Sequence, residues 1–291
     1  MTLPSPIDKI CLFNTQFYVK RDDLIHPMYS GNKYRKLHTY FNQPSLKPIV
    51  SYGGYQSNAM LSIAYYCYQH KISFTYITKS IPNFINHSDG NLALALKHKM
   101  KLVEVSNDTY QNTIDTLNTS YPDSLIIKQG AAEKEAEHGL KILAKEIHTF
   151  IQEHDLKKVA VFIPSGTGTS ALFLQKHLKD ITVYTTPCVG NSDYLNQQWQ
   201  ELEPNLTHYP TILETKKKYH FAKPYAQFLE SYKSTKEQDI EFDLIYSPKL
   251  LLAIQENLSH IKEKTKIIIH TGGVIGNSTQ LARYQFKGFS V

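Results

Sequence analysis

Short apolar runs rich in β-branched residues alternate along the chain with longer stretches whose apolar positions recur at helical spacing. Ile49 to Tyr52 runs into Gly53-Gly54 and is followed by a helical stretch from about Ser57 to His70. Ile72 to Ile77, Leu102 to Val105 and Leu125 to Ile127 repeat the strand pattern, each followed by a helical stretch: Asn91 to His98, Thr109 to Leu117 and Ala132 to Glu153. Val159 to Ile163 is the clearest strand. It leads through a Gly/Ser/Thr loop into a helix from Ser170 to Leu178, and Thr182 to Thr185 and Ile267 to His270 read as further strands. Repeated strand-then-helix units predict an α/β fold of mostly parallel sheets with covering helices. Right-handed crossovers then gather the loops that follow the strands at one edge, where such folds bind ligands. The β/α units between residues 47 and 130 predict a smaller domain, and residues 1–46 plus 131–291 a larger, discontinuous one.

Composition narrows the class. A chain of 291 residues that is 41% apolar and 12% aromatic can bury a sizeable core and does not match a disordered protein. The formal charge of +6 suits an anionic ligand and equally suits a soluble surface. The run Lys216-Lys217-Lys218 reads as a solvated face, so no nucleic-acid partner is expected. Cys11, Cys67 and Cys188 form no CxxC pair and read as reduced thiols. Met1 to Asn14 lacks the apolar core of a signal peptide, and no run approaches the roughly 20 apolar residues of a membrane span. The expectation is a cytoplasmic protein without a membrane partner. The 13 histidines are scattered without an HExxH pair, so no metal site is expected.

Four polar, glycine-containing clusters could carry chemistry. In Ser30-Gly31-Asn32-Lys33-Tyr34-Arg35-Lys36-Leu37, Ser30 can cap a helix beginning near Asn32. Lys33 would then sit in the first turn, against the positive end of the helix dipole. Arg35 and Lys36 would add positive charge and lower its pKa further, and a neutral amine is the form that makes a Schiff base. The alternative is a solvent-exposed basic helix start. Ser51-Tyr52-Gly53-Gly54-Tyr55-Gln56-Ser57-Asn58 follows a strand and opens a helix, which suits a carboxylate or an ordinary βα turn. In Pro164-Ser165-Gly166-Thr167-Gly168-Thr169-Ser170, successive N–H groups and hydroxyls could cradle a phosphate, although the Gly-Lys-[Ser/Thr] ending of a nucleotide P-loop is missing. The fourth is His270-Thr271-Gly272-Gly273, grouped with Tyr246-Ser247-Pro248-Lys249, in which Tyr246 is either a proton-transfer group or a core tyrosine.

The order of these clusters resembles the 1-aminocyclopropane-1-carboxylate deaminase/D-cysteine desulfhydrase family, a branch of the fold type II pyridoxal-5′-phosphate (PLP) enzymes related to the tryptophan synthase β subunit. Val19-Lys20-Arg21-Asp22-Asp23-Leu24, the Gly-Asn-Lys-x-Arg-Lys-Leu motif at Gly31 to Leu37, and Gly53-Gly54-x-Gln56-Ser57-Asn58 carry the likeness most specifically. It implies two three-layer α/β/α domains, PLP as cofactor, a small amino acid as substrate and, by analogy alone, a homodimer. It implies that Lys33 holds PLP as a Schiff base and that Asn58 bonds the phenolic oxygen of the ring. Ser57 would meet the substrate carboxylate. Gly166, Thr167, Gly168, Thr169 and Ser170 would cup the phosphate, and Tyr246 would be an active-site group. Cyclopropane deaminases resemble one another in a Glu after that Tyr, facing the pyridine nitrogen; here Ser247 stands in its place, with Thr271 as another hydroxyl able to face it. They also carry a second active-site Tyr where Phe221 aligns. Both departures favour α,β-elimination on a substrate such as D-cysteine, with release of ammonia and a 2-oxo acid. The alternatives are a true cyclopropane deaminase and a non-catalytic PLP- or phosphometabolite-binding protein on the same scaffold.

Overall fold

The computed structural model describes residues 1–42, 47–82 and 89–291; the expected domain junction at residue 46 lies outside the described residues. The chain opens with an antiparallel hairpin, β1 (Ile7–Leu12) and β2 (Thr15–Lys20), that the sequence reading did not identify. Its two-residue turn, Phe13-Asn14, has φ of 54° and 56°, the backbone of a tight turn whose twist matches the flanking strands. Neither residue is glycine, which removes the usual hairpin signal. Helix α1 (Gly31–Asn42) follows, then β3 (Ile49–Tyr52), α2 (Asn58–His70), β4 (Phe74–Lys79), α3 (Gly90–Lys97) and β5 (Lys101–Val105). The helical stretch expected at 109–117 is two short helices, α4 (Tyr110–Asp115) and α5 (Leu117–Ser120), followed by β6 (Leu125–Ile127).

The helix expected from Ala132 begins only at Glu137, as α6 (Glu137–Glu153), because Glu133 is extended and residues 134–136 form a short 3-10 turn before it. Next come β7 (Val159–Ser165), α7 (Thr169–His177), β8 (Thr182–Pro187), α8 (Ser192–Leu202), β9 (Thr211–Ile212) and α9 (Ala226–Lys236). The chain closes with α10 (Ser247–Asn257), β10 (Thr265–Ile269) and α11 (Asn277–Phe286). Two sheets result. One has the order β1-β2-β10-β7-β8-β9, parallel except for the hairpin, and the other has the parallel order β5-β4-β3-β6. Every residue of β7 is buried, as a central parallel strand covered on both faces must be. The aliphatic residues of α6 and α7 pack on one side of this sheet. Leu250, Leu251 and Ile254 of α10 pack on the other side with Phe17 and Phe162.

The helix that carries Lys33 is fixed at three places. Its first residue, Gly31, lies so close to the end of β10 that an added Cβ would come within 2.6 Å of the Thr271 carbonyl carbon. Its middle crosses α6 at Gly139, where a Cβ would come within 1.9 Å of the Arg35 carbonyl oxygen. Between them, Arg35 bonds Asp22 (2.8 and 3.0 Å) and Glu146 (2.7 and 2.8 Å) at once. Lys20 closes the network on Glu146 at 2.6 Å, and the Ser5 hydroxyl donates to Asp22 at 2.6 Å. Two buried cations thus face two carboxylates with their hydrogen bonds met, the condition under which buried charge is tolerable. Gly139→Ala should cost about 1–3 kcal/mol by forcing the helices apart. A Tm lowered by several degrees is the expected reading; an unchanged melt would show that the crossing can give way.

Candidate active site

Loops that follow strands of the two sheets meet: a Cβ on Gly130, after β6, would lie 3.8 Å from Thr167, after β7, and one on Gly273, after β10, would lie 2.6 Å from the Asn58 amide, after β3; strand-end loops are where open α/β sheets bind ligands. Lys33 enters from the first turn of α1, and its Nζ donates to Asn32 Oδ1 at 2.9 Å. Burial pushes its pKa down to about 8, against the nearby Asp243 carboxylate, which raises it. The lowering differs in origin from the sequence expectation. Arg35 points away, its charge absorbed by Asp22 and Glu146, and desolvation does the work. Ser30 does not cap α1 through its side chain: its Oγ is buried and unpartnered, while its backbone N–H donates to Ser62 Oγ. Asn32 N–H instead donates to the Thr271 carbonyl at 3.1 Å.

The Gly166–Ser170 loop links β7 to α7. Gly168 has φ of 74°, and its carbonyl accepts from Trp199 Nε1–H at 3.1 Å, so the loop is tied from behind. Thr167 Oγ1 and Thr169 Oγ1 are 3.0 Å apart, and Ser170 Oγ is buried without a partner among the described residues. Ser165 is not available to a ligand, since its hydroxyl is bonded to Thr185 Oγ1 at 2.6 Å. Lys36, one turn beyond Lys33, buries its ammonium group, and among the described residues its hydrogen-bond partner is Thr167 Oγ1, at 3.4 Å. Desolvation first, and then the Lys33 charge, push its pKa well below the ordinary lysine value. A buried amine and an unpartnered hydroxyl at a helix N-terminus fit a phosphate, which supplies both the charge and the acceptors they lack. The sequence reading treated Lys36 as a neighbour of Lys33; its i+3 spacing on α1 was the signal that both amines share one face.

Ser57 caps α2, accepting from Met60 N–H at 3.4 Å, and lies against the buried Tyr76 phenol. Tyr76 donates to the Gly54 carbonyl at 3.1 Å and braces the Gly53–Ser57 turn from β4. Asn58 begins α2; its Oδ1 accepts from Asn91 at 2.8 Å, and its Nδ2 is 2.6 Å from where a Cβ on Gly273 would lie. Tyr246 packs on Gly166 and has no hydrogen bond from its phenol among the described residues. Burial drives its pKa above the ordinary tyrosine value. Phe221 lies 5.4 Å from it, ring to ring, so the site has a phenyl beside Tyr246. Ser247 starts α10 and donates its hydroxyl hydrogen to Asp243 Oδ2. Asp243 also takes the backbone N–H groups of Ile245, Tyr246 and Ser247. The sequence expectation had Ser247 offering a hydrogen to a ring nitrogen; its single hydrogen is engaged by Asp243 instead. Thr271 is buried at the end of β10. His270 is structural: it stacks on Phe242 at 4.3 Å and bonds Glu241 O and Gly272 N. No group of three or more metal-ligating side chains occurs among the described residues, and none of their helices is long and apolar enough to cross a membrane.

No family model matches the chain. It is 25% identical over 310 residues to a protein of Thermotoga maritima described as "Putative 1-aminocyclopropane-1-carboxylate deaminase", covering 96% of this chain and 97% of that one. It is 27% identical over 194 residues to "Putative D-cysteine desulfhydrase 2, mitochondrial" of Oryza sativa subsp. japonica, covering 55% of this chain and 47% of that one. The crystal structure of an ACC deaminase homologue superposes with a TM-score of 0.77 at 17% identity, covering 96% of this chain and 93% of that one. The chain therefore resembles a putative 1-aminocyclopropane-1-carboxylate deaminase along almost all of its length and a putative D-cysteine desulfhydrase over about half of it, and has the fold type II architecture.

Proposed function

We propose that this chain is a PLP-dependent lyase or deaminase acting on a small amino acid, by α,β-elimination on a substrate such as D-cysteine, with release of ammonia and a 2-oxo acid. The observation that carries the reading is the pairing of a half-buried and a buried lysine, Lys33 and Lys36, one turn apart on α1. Lys33, lowered to about 8, can give a neutral amine, and Lys36 reaches into the hydroxyl loop before α7. When bound, PLP supplies an electron sink for the bond broken at the substrate Cα. The chain's own residues divide the remaining work. Lys36, Thr167, Thr169, Ser170 and the N-terminus of α7 would hold the phosphate. Lys33 would form the covalent tether, and then hold and move the Cα proton. The α2 N-terminus with Ser57 would bind the substrate carboxylate, and Asn58 would donate to the cofactor's phenolic oxygen. The unpartnered Tyr246 phenol stays protonated at neutral pH and would deliver a proton to the leaving group. Phe221 would cover the site beside it.

The test is a panel of D- and L-amino acids, assayed for 2-oxo acid and ammonia. Equimolar release of both from at least one β-substituted substrate is expected, and a protein that binds PLP but releases neither from any member of the panel would be a binder. The phosphate assignment has its own check. Thr169 is 1% exposed at the start of α7. Thr169→Val keeps its shape and removes a hydroxyl, so PLP retention should weaken by about tenfold, the scale of one lost hydrogen bond to a charged group. The ranking of amino-acid substrates should not change, because the loop is remote from the reacting bond; a changed ranking at unchanged retention would place the phosphate elsewhere.

A further inference from the structure

Asn91 lies in the first turn of α3, is 1% exposed, and makes its side-chain contacts outside its own helix. Its amide nitrogen has two hydrogens, and each is assigned. One goes to the backbone carbonyl of Gln56 at 2.9 Å and the other to Asn58 Oδ1 at 2.8 Å. A backbone carbonyl can only accept, so the Asn91 amide can only present nitrogen to it. Reversed, its oxygen would meet the Gln56 carbonyl oxygen. With that orientation set, Asn58 must offer its oxygen to Asn91 and turn its own NH2 the other way, toward Gly273 and the loop after β10. The Gln56 side chain holds α3 in place for this, its Oε1 accepting Asn91 N–H at 2.9 Å. Among the described residues the arrangement leaves Asn91 Oδ1 buried without a partner, so the orientation is kept at a cost.

We infer that Asn91 is a positioning residue that fixes the Asn58 amide with its NH2 toward the cofactor. This rests on the PLP reading of the site. Without Asn91, Asn58 can rotate and present an oxygen, which repels an anionic phenolic oxygen where the nitrogen would bond it. The competing account is a plain structural tie between α2 and α3, which would act on stability and be indifferent to Asn58.

A double-mutant cycle on the full chain separates the two. The readouts are the PLP dissociation constant, followed by quenching of Trp199, the single tryptophan and bonded to the Gly168 carbonyl of the loop, and the position of the visible absorbance band of bound PLP. Asn91→Ala should raise the dissociation constant about tenfold and move the band. In an Asn58→Ala background the same substitution should change the constant less than about twofold and leave the band where it is. Equal losses in both backgrounds overturn the inference and leave a structural tie. If Asn91→Ala does not melt cooperatively, Asn91→Ser, which is smaller but polar, takes its place in the same cycle. Failure of the unmutated chain to form a borohydride-reducible PLP adduct on a lysine defeats the cofactor reading itself, an outcome distinct from additivity in a protein that does form it.

Discussion

Lys33→Ala is expected to abolish covalent PLP and to reduce turnover by about a thousandfold or more, since tether and Cα base are lost together. Borohydride reduction followed by peptide mapping should label Lys33 in the unmutated chain and no lysine in the variant. Lys36→Met makes the contrast. It should keep the label on Lys33 while weakening PLP retention, because its ammonium group meets Thr167 in the hydroxyl loop. A reducible adduct that survives in Lys33→Ala, with the label on Lys36, would exchange the two roles. The pH dependence follows from the lowered pKa of Lys33. With a pKa of about 8 in place of 10.5, roughly a tenth of the apo-protein carries a neutral amine at pH 7, where an ordinary lysine would have well under a thousandth. PLP capture should therefore accelerate as pH rises from 7 and level off above about 8, the sign expected of a group that reacts only when deprotonated. A rate still climbing at pH 10 would mean that burial does not lower this amine.

Most of the parallel strands are legible because each is short, apolar and followed by a helical period; β3, β6, β7 and β10 fall within two residues of their expected positions, while the two-residue β9 (Thr211–Ile212) is too short to give a pattern. The hairpin was not legible. β1 alternates imperfectly, and its turn uses Phe13 and Asn14 in a conformation that sequence normally signals with glycine. Helices α8, α9 and α11 are not predicted either, each containing polar residues on most of its surface and only a few buried positions, and neither is α10, whose start reads only as part of a polar cluster. In the site, the clusters stood out because glycines and hydroxyls interrupt apolar strands at one end. What sequence could not supply was direction. Lys33 and Arg35 are two residues apart, yet one faces the cleft and the other a buried pair of carboxylates. Asn91 sits 33 positions from Asn58, with no pattern linking them. Asp243 had a signal that could have been used: an Asp a few residues before a helix opening with Ser-Pro reads as a cap.

Those directions bear on the reaction choice. From sequence, a Ser247 hydroxyl donating to the ring nitrogen disfavoured cyclopropane opening on electronic grounds. Its hydrogen is directed at Asp243, which the N–H groups of Ile245, Tyr246 and Ser247 hold in place, so Ser247 presents an acceptor to anything on its other side. The electronic part of the case therefore loses its force. The part that rests on proton transfer does not. Phe221 lies 5.4 Å from the Tyr246 ring with no group that can carry a proton. Opening a cyclopropane requires a proton delivered to carbon as a C–C bond breaks, in addition to the proton moved at nitrogen and oxygen. β-Elimination asks only for removal of the Cα proton and protonation of the leaving group, which Lys33 and the single Tyr246 phenol can divide between them. A positioned acid or base contributes about 10²–10⁴ to rate, so the absent phenol should cost at least about a hundredfold on the cyclopropane substrate and little on D-cysteine. Side-by-side ammonia release at saturating substrate measures this, and faster turnover of 1-aminocyclopropane-1-carboxylate than of every β-substituted D- or L-amino acid would defeat the argument. Phe221→Tyr is the sharper form of the test: it should raise cyclopropane turnover by tenfold or more while changing D-cysteine turnover by less than about twofold, a selective gain that an effect on packing alone cannot produce.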